Sequence, residues 1–117
     1  MSTQSKLVLK DQPTLKDYQE YVIQLENERG FKEQNVLQKC LLLGEEVGEL
    51  FKAIRKREKI SIDQDSKFGL IEEELADIII YLCAIANRFD IDLEKAFRNK
   101  EEVNKKRVWK QSKVNDS

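Results

Sequence analysis

Two short acidic stretches are the first place to look for chemistry. "LGEEVGELFKAI", residues 43–54, sets Glu45, Glu46 and Glu49 among apolar residues; "EEELAD", residues 72–77, runs from Glu72 to Asp77. Within them Glu46 and Glu49 are three apart, and so are Glu74 and Asp77. On a helix that spacing puts both members of a pair on one face, with Cβ atoms roughly 5–6 Å apart. If the two helices pack face to face, the pairs converge. Like charges ~4 Å apart repel by about 4 kcal/mol at a surface-like effective dielectric. Asp77 also opens the apolar run "IIIYLCAIA", which leaves it little room to turn to water. Such acids either share protons or hold a hard divalent cation, and carboxylate-only ligation selects Mg²⁺ or Mn²⁺ over zinc or copper. Gly48 sits between Glu46 and Glu49; a glycine inside a helix costs about 1 kcal/mol relative to alanine, which predicts a close approach by another helix or a ligand. For Glu45, Glu72 and Glu73 taken singly, a solvated acidic face is the competing reading.

Composition narrows the choices. The chain has no histidine, so Ser-His and Cys-His nucleophiles and histidine-ligated zinc are excluded. Proton transfer near neutral pH falls to a tuned carboxylate, Lys, Tyr, Cys or a metal-bound water. Cys40 and Cys83 form no C-x-x-C pair and read as buried thiols in a reducing compartment. An EF-hand register starting at Asp63 fails, because Lys67 and Phe68 stand where a ligand and a glycine are needed. The net charge of −1 gives no global attraction to nucleic acid. No segment approaches the ~20 apolar residues of a membrane span, nor does the N-terminus carry a signal-like apolar stretch, so the expected location is cytoplasmic.

These residues need helices to position them. At 117 residues the chain is the size of one domain, and one Pro with four Gly leaves few breaks. Thr14 with Asp17 predicts an N-cap, Leu15, Tyr18, Val22 and Leu25 make an amphipathic stripe, and Gly30 is a stop. A second helix is expected from Asn35 to about Arg57, with Leu37, Cys40, Leu41, Gly44, Val47, Phe51 and Ile54 on its apolar side. A third is expected from near Ser66 to about Arg88, buried on most sides from Ile78 to Ala86. Asp92 caps a fourth carrying Leu93, Ala96, Phe97 and Val103. Short connections after the first and third helices favour antiparallel neighbours. The expected architecture is all-α, four-helix bundle-like, over residues 13–110, between flexible tails at 1–12 and 111–117.

"EEVGEL" followed by "EELAD", with "ERGF" before and "DIDLEKAFRNKEEVNKKR" after, resembles the E-E-x-x-E…E-x-x-D signature of the MazG-like all-α nucleoside triphosphate pyrophosphohydrolases. The resemblance runs from about Leu15 to Trp109. It implies Glu46, Glu49, Glu74 and Asp77 as ligands of Mg²⁺, for which Mn²⁺ substitutes, and Glu45 as the residue that orients or deprotonates the attacking water. It implies Tyr81 facing the substrate, and Lys100, Asn104 and Arg107 meeting phosphates, sugar or base from one face of the fourth helix. Phe31 and Trp109 are the candidates for stacking on the base. The implied reaction converts a (d)NTP to a (d)NMP and pyrophosphate, as in nucleotide-pool sanitation, in a homodimer or dimer of dimers that completes the site. Some relatives carry tryptophan where this chain has Phe31, and another aromatic where it has "RKREK", so base preference is the least determined feature. The alternative is a non-enzymatic helical dimerisation module whose acids form a solvated face or a structural metal site.

Overall fold

The computed structural model describes residues 4–59 and 69–107. Among these residues there are four helices and no strand: α1 Leu15–Arg29, α2 Val36–Arg57, α3 Ile71–Arg88 and α4 Leu93–Lys105. Local chemistry sets most of the ends. At α1 the Asp17 N–H donates to Thr14 Oγ1 at 3.2 Å and the Thr14 N–H to Asp17 Oδ2 at 2.8 Å, a reciprocal capping box. Gly30 closes α1 with φ of 75°, a left-handed conformation that glycine adopts without a Cβ clash. Asn35 and Gln38 form the same box at α2, both bonds 2.8 Å long. Asp92 Oδ1 accepts the Lys95 N–H at α4.

α3 starts later than the sequence pattern implies. Ser66 lies outside the described residues, but Gly69 and Leu70 are non-helical, and Ile71 is the first helical residue. The Leu70 N–H donates to Glu73 Oε1 at 3.2 Å, the half of a capping box that a first-turn glutamate supplies, while Leu70 has no polar side chain to supply the other half.

α3 is the central helix. It packs along α2 and against α1, while the main packing of α4 is on α1. The pairs that short connections suggested, α1 with α2 and α3 with α4, are therefore not the principal ones. The core is built by Val22 and Leu25 of α1 with Cys83 and Ala84 of α3, and Leu7, Tyr21, Ile80 and Leu93 pack around it. Leu7 belongs to the segment expected to be a tail; nearby, Ser5 Oγ donates to Glu28 and Lys10 pairs with Asp17 at 3.4 Å. Buried Gln19 ties α1 to the α3–α4 turn: its Nε2 donates to Asn87 Oδ1 and to the Ile91 carbonyl, and its Oε1 accepts the Leu93 N–H at 2.9 Å.

The apolar side of α2 departs from expectation. Leu37 and Leu41 are each 73% exposed, and Phe51 and Ile54 are also exposed. Cys40, read as buried, is exposed as well; only Cys83 is a buried thiol. The reason is rotational. α2 turns Lys39 and Ala53 into the fold, along with half-buried Glu46, so the Leu37–Leu41 side faces outward. Ile79 and Leu82 of α3 are likewise nearly half exposed, within a stretch expected to be covered on most sides. A Cβ added at Gly48 would meet nothing within 4 Å, so no described part of this chain makes the close approach expected there.

Candidate metal centre and adjoining pocket

The α2–α3 contact brings acids together. Glu46, Glu74 and Asp77 each place one carboxylate oxygen within 4.8 Å of the others. Glu74 is buried and Glu46 half-buried. The hydrogen bond to Glu74, burial, and the charges of Asp77, Glu74 and Glu49 raise the Glu46 carboxyl to about 7. Gly69 lies against the far side of Glu74, where an added Cβ would collide with Oε1. Backbone without a side chain is what lets the α3 leader close over that carboxylate.

The donor set fits a hard cation. It is all oxygen, and with Mg–O distances of about 2.1 Å neighbouring ligands of an octahedral Mg²⁺ stand about 2.9 Å apart, so oxygens within 4.8 Å of one another would draw inward around the ion. A divalent charge there would relieve the repulsion that helps raise the Glu46 carboxyl.

Glu49 and Glu45 lie outside this close group. Glu49 is near enough for its charge to act on Glu46, but its carboxylate reaches Lys52 Nζ on its own helix at 3.6 Å. Glu45 is exposed, and its charge reaches Tyr81. Tyr81 stands one turn after Asp77, half-buried; burial, then Glu46, Asp77 and Glu45, push its hydroxyl above the usual tyrosine range.

Tyr81 and Asp77 also line a cavity of about 260 Å³ between the end of α1, the 30–35 turn, α2 and α3. Phe31, Gln34 and Lys39 form other parts of its wall. Lys39 is 2% exposed and its Nζ lies 2.9 Å from Glu26 Oε2. The same ammonium sits 5.0 Å from the Phe31 ring centroid and 5.6 Å from that of Tyr81, within cation–π range of both. Burial raises the Glu26 carboxyl, but the hydrogen bonds and charges of Arg88 and Lys39 outweigh it and hold that carboxyl below the ordinary range. Arg88 Nε donates to the Gln34 carbonyl at 2.9 Å and Nη2 to the Phe31 carbonyl at 3.1 Å, which fixes the turn carrying two pocket residues.

Sequence reasoning missed this group. Glu26 follows Leu25 on the buried side of α1, one turn after Val22, and a lone acid inside an apolar stripe is a signal for a buried ion pair. Lys39 and Arg88, each beside apolar residues, were its available partners.

The remaining expected residues are less concentrated. Phe31 is on the pocket wall and partly exposed. Lys100 and Arg107 are exposed and Asn104 half-buried, on a helix whose main packing is against α1 and not against the α2–α3 pair that carries the acids. Trp109 lies outside the described residues.

The fold and the acidic group define an all-α protein with a candidate carboxylate metal centre between two helices. Residues 32–109 match the MazG nucleotide pyrophosphohydrolase domain. That match covers most of the chain, and the protein belongs to the MazG family. It is 31% identical over 101 residues to dCTP pyrophosphatase 1 of Rattus norvegicus, an alignment covering 82% of this chain and 59% of the relative. The chain thus spans somewhat more than half the length of that relative. Among solved structures it is similar to iMazG from Vibrio DAT 722, with a TM-score of 0.58 and 34% identity over 80% of this chain and 95% of the other.

Proposed function

We propose that the protein hydrolyses nucleoside triphosphates between the α- and β-phosphates, consuming one water and releasing a nucleoside monophosphate and pyrophosphate. The observation that carries this reading is the convergence of Glu46, Glu74 and Asp77 inside a MazG domain. The rat relative, named as a dCTP pyrophosphatase, supports the same reaction class.

Glu46, Glu74 and Asp77 would hold Mg²⁺ or Mn²⁺, with Glu49 joining them once it exchanges Lys52 for the cation. The ion's chemistry is to neutralise phosphate charge and acidify water. Glu45, one residue before Glu46, is the residue for accepting the water's proton. Lys100, Asn104 and Arg107 bind phosphates or sugar, while Phe31 and Tyr81, with Trp109, flank the base. A cationic helix brought to a polyanionic substrate lowers the cost of charge developing at the phosphates.

The exposed apolar side of α2, and Phe97 at 70% exposure on α4, suit a second copy of the chain. A homodimer, or a dimer of dimers, would bring α4 of one subunit toward the acids of another. Nucleotide-pool sanitation in the cytoplasm is the role such an activity would serve.

The test is pyrophosphate release from a panel of nucleotides with and without Mg²⁺. Metal-dependent release of pyrophosphate is expected. Orthophosphate instead would indicate a phosphomonoesterase. No release with any nucleotide at any divalent-metal concentration would leave the non-enzymatic dimerisation module as the better reading.

A further inference from the structure

A guanidinium has five N–H donors, and Arg88 spends every one. Nη1 and Nη2 take the two oxygens of Glu26, and Nη1 also donates to the Ala84 carbonyl one turn back at 3.0 Å. The remaining two leave α3 for the 30–35 turn, Nε to the Gln34 carbonyl and Nη2 to the Phe31 carbonyl. The side chain is only 14% exposed.

The turn has little of its own to hold it. None of residues 30–35 is buried, and Gln34 alone is half-buried. The Phe31 N–H donates to the Glu26 carbonyl at 2.8 Å and the Gln34 N–H to the Phe31 carbonyl at 3.0 Å. Those bonds tie the turn to the end of α1 and to itself; Arg88 ties it to α3. Phe31 is thereby held twice, by Arg88 at its carbonyl and by the Lys39 ammonium 5.0 Å from its ring centroid. Both cations are anchored on one carboxylate, Glu26. Stability is a weak reason for such a cluster, because a buried ion group gains little over apolar packing. Fixing a partly exposed aromatic ring at the wall of a pocket is a stronger one.

We infer that Arg88 is a positioning residue for substrate binding: by fixing the Phe31 backbone it holds that ring, before the nucleotide arrives, where the base stacks. This rests on the nucleotide reading above and adds to it what sets the affinity. A ring on a loop already ordered in its bound position costs a ligand less to engage than one that must be ordered on binding. Arg88 lies about three turns beyond Asp77 along α3, so it acts on binding and not on the chemical step.

The test is a double-mutant cycle between Arg88→Lys and Phe31→Ala, read as KM and kcat with Mg²⁺ and each of dATP, dCTP, dGTP and dTTP. Lysine keeps a cation for Glu26 but has no planar fork to reach both carbonyls. Arg88→Lys is expected to raise KM about tenfold for every nucleotide the wild type hydrolyses, the scale of one base–aromatic stack. Its kcat should stay within about twofold of wild type. In the Phe31→Ala background it should change KM by less than about twofold, since its effect passes through that ring. A purely structural role would leave KM unchanged in Arg88→Lys, or would add in full to the Phe31→Ala change. Either result would overturn the inference, and so would a fall in kcat at unchanged KM. If Phe31→Ala itself leaves KM unchanged, the ring is not on the substrate, and the inference falls while the reaction stands. If the wild type hydrolyses none of the four, the proposed reaction fails, and Kd values from isothermal titration with their α,β-imido analogues replace KM in the same cycle. Binding of none of the analogues would overturn the inference as well. Should Arg88→Lys not fold, Arg88→Gln takes its place, since Glu26 then keeps Lys39 as a matched partner; the same outcomes decide.

Discussion

Arg88 grips Glu26 with both arms of its guanidinium, Nη1 to Oε1 and Nη2 to Oε2, each at 2.9 Å. The geometry is bidentate, the strong form of this pair. Lys39 adds a second cation at 2.9 Å from Oε2, and Glu26 is 5% exposed. One carboxylate from α1 therefore joins α2 to the end of α3 and sits behind the Phe31–Tyr81 pocket. Buried ion pairs of this kind contribute little net stability compared with apolar packing, but removing one partner leaves the others uncompensated.

That asymmetry gives a first prediction. Glu26→Gln should lower the unfolding free energy by about 3–5 kcal/mol, because Lys39 and Arg88 lose their shared counter-charge in a buried site. Urea denaturation measures it directly. A loss under 1 kcal/mol would mean that the two cations reach water in solution.

The acidic group gives a second. Glu46→Gln, Glu74→Gln and Asp77→Asn should each reduce turnover on the order of 10²–10³-fold, the scale for removing a group that stabilises developing charge. Glu49→Gln should do the same if Glu49 leaves Lys52 for the cation, and Mn²⁺ binding followed by electron paramagnetic resonance would weaken in all four. Wild-type turnover in both Glu49→Gln and Asp77→Asn would remove the proposed metal site. Unchanged Mn²⁺ binding in Glu49→Gln alone would confine the site to the three converged acids.

Protonation gives a third. Glu46 titrates at about 7 in the folded chain against an ordinary 4.5. Between those values the folded state binds more protons than the unfolded state, so stability falls as pH rises across the window. Glu26 acts in the opposite sense on the acid side: its lowered carboxyl contributes stability that is lost as pH falls through its own range. Thermal unfolding in chelator should therefore show a melting temperature that declines from about pH 5 to about pH 8. Mg²⁺ should raise it more at pH 8 than at pH 5, since the cation competes with the Glu46 proton; at 100 times Kd the stabilisation is about 2.7 kcal/mol. A metal effect independent of pH would place the ion away from Glu46.

Much of this arrangement was legible because it is local. The Thr14–Asp17 and Asn35–Gln38 boxes, the Gly30 stop and the Asp92 cap are encoded within a few residues of where they act. The convergence of Glu46 with Glu74 and Asp77 followed from helical spacing plus one assumption, that α2 and α3 face each other. The rotation of α2 was not legible. Leu37, Cys40, Leu41, Phe51 and Ile54 read as a core stripe, yet the buried positions are Lys39 and Ala53. Hydrophobic periodicity identifies an apolar face but not what covers it, and a face reserved for another subunit has the same signature as one buried in its own chain. Lys39 was hidden for the complementary reason. A lysine enters a core only when a specific acid awaits it, and that acid, Glu26, is 13 residues away on another helix.

The exposed face gives a fourth prediction. Leu37 and Leu41 project from one side of α2 into solvent, and patches of this kind mark association surfaces. Light scattering should find the wild type as a dimer or tetramer. Leu37→Glu with Leu41→Glu should shift it toward monomer while leaving its helical circular dichroism intact. Loss of turnover on dissociation would tie the helix carrying Lys100, Asn104 and Arg107 to a site shared between subunits. Monomeric wild type with full activity would remove the shared site.

Gly69 gives the last. A methyl group there would strike Glu74 Oε1, the carboxylate that hydrogen-bonds Glu46. The clash is met by the end of the Glu74 side chain, which swings aside, and the displacement falls on the acidic group. Gly69→Ala should therefore raise the Mg²⁺ concentration needed for half-maximal turnover by about tenfold, the scale on which groups that orient metal ligands act. Saturating metal should recover much of the rate, because the ligands remain present. Gly48→Ala is the control: a Cβ there meets nothing within 4 Å of this chain, and alanine favours the helix. If Gly69→Ala left the metal requirement unchanged, the α3 leader would have no part in fixing Glu74. If Gly48→Ala raised the requirement instead, the close approach at that glycine would come from a second subunit or the substrate.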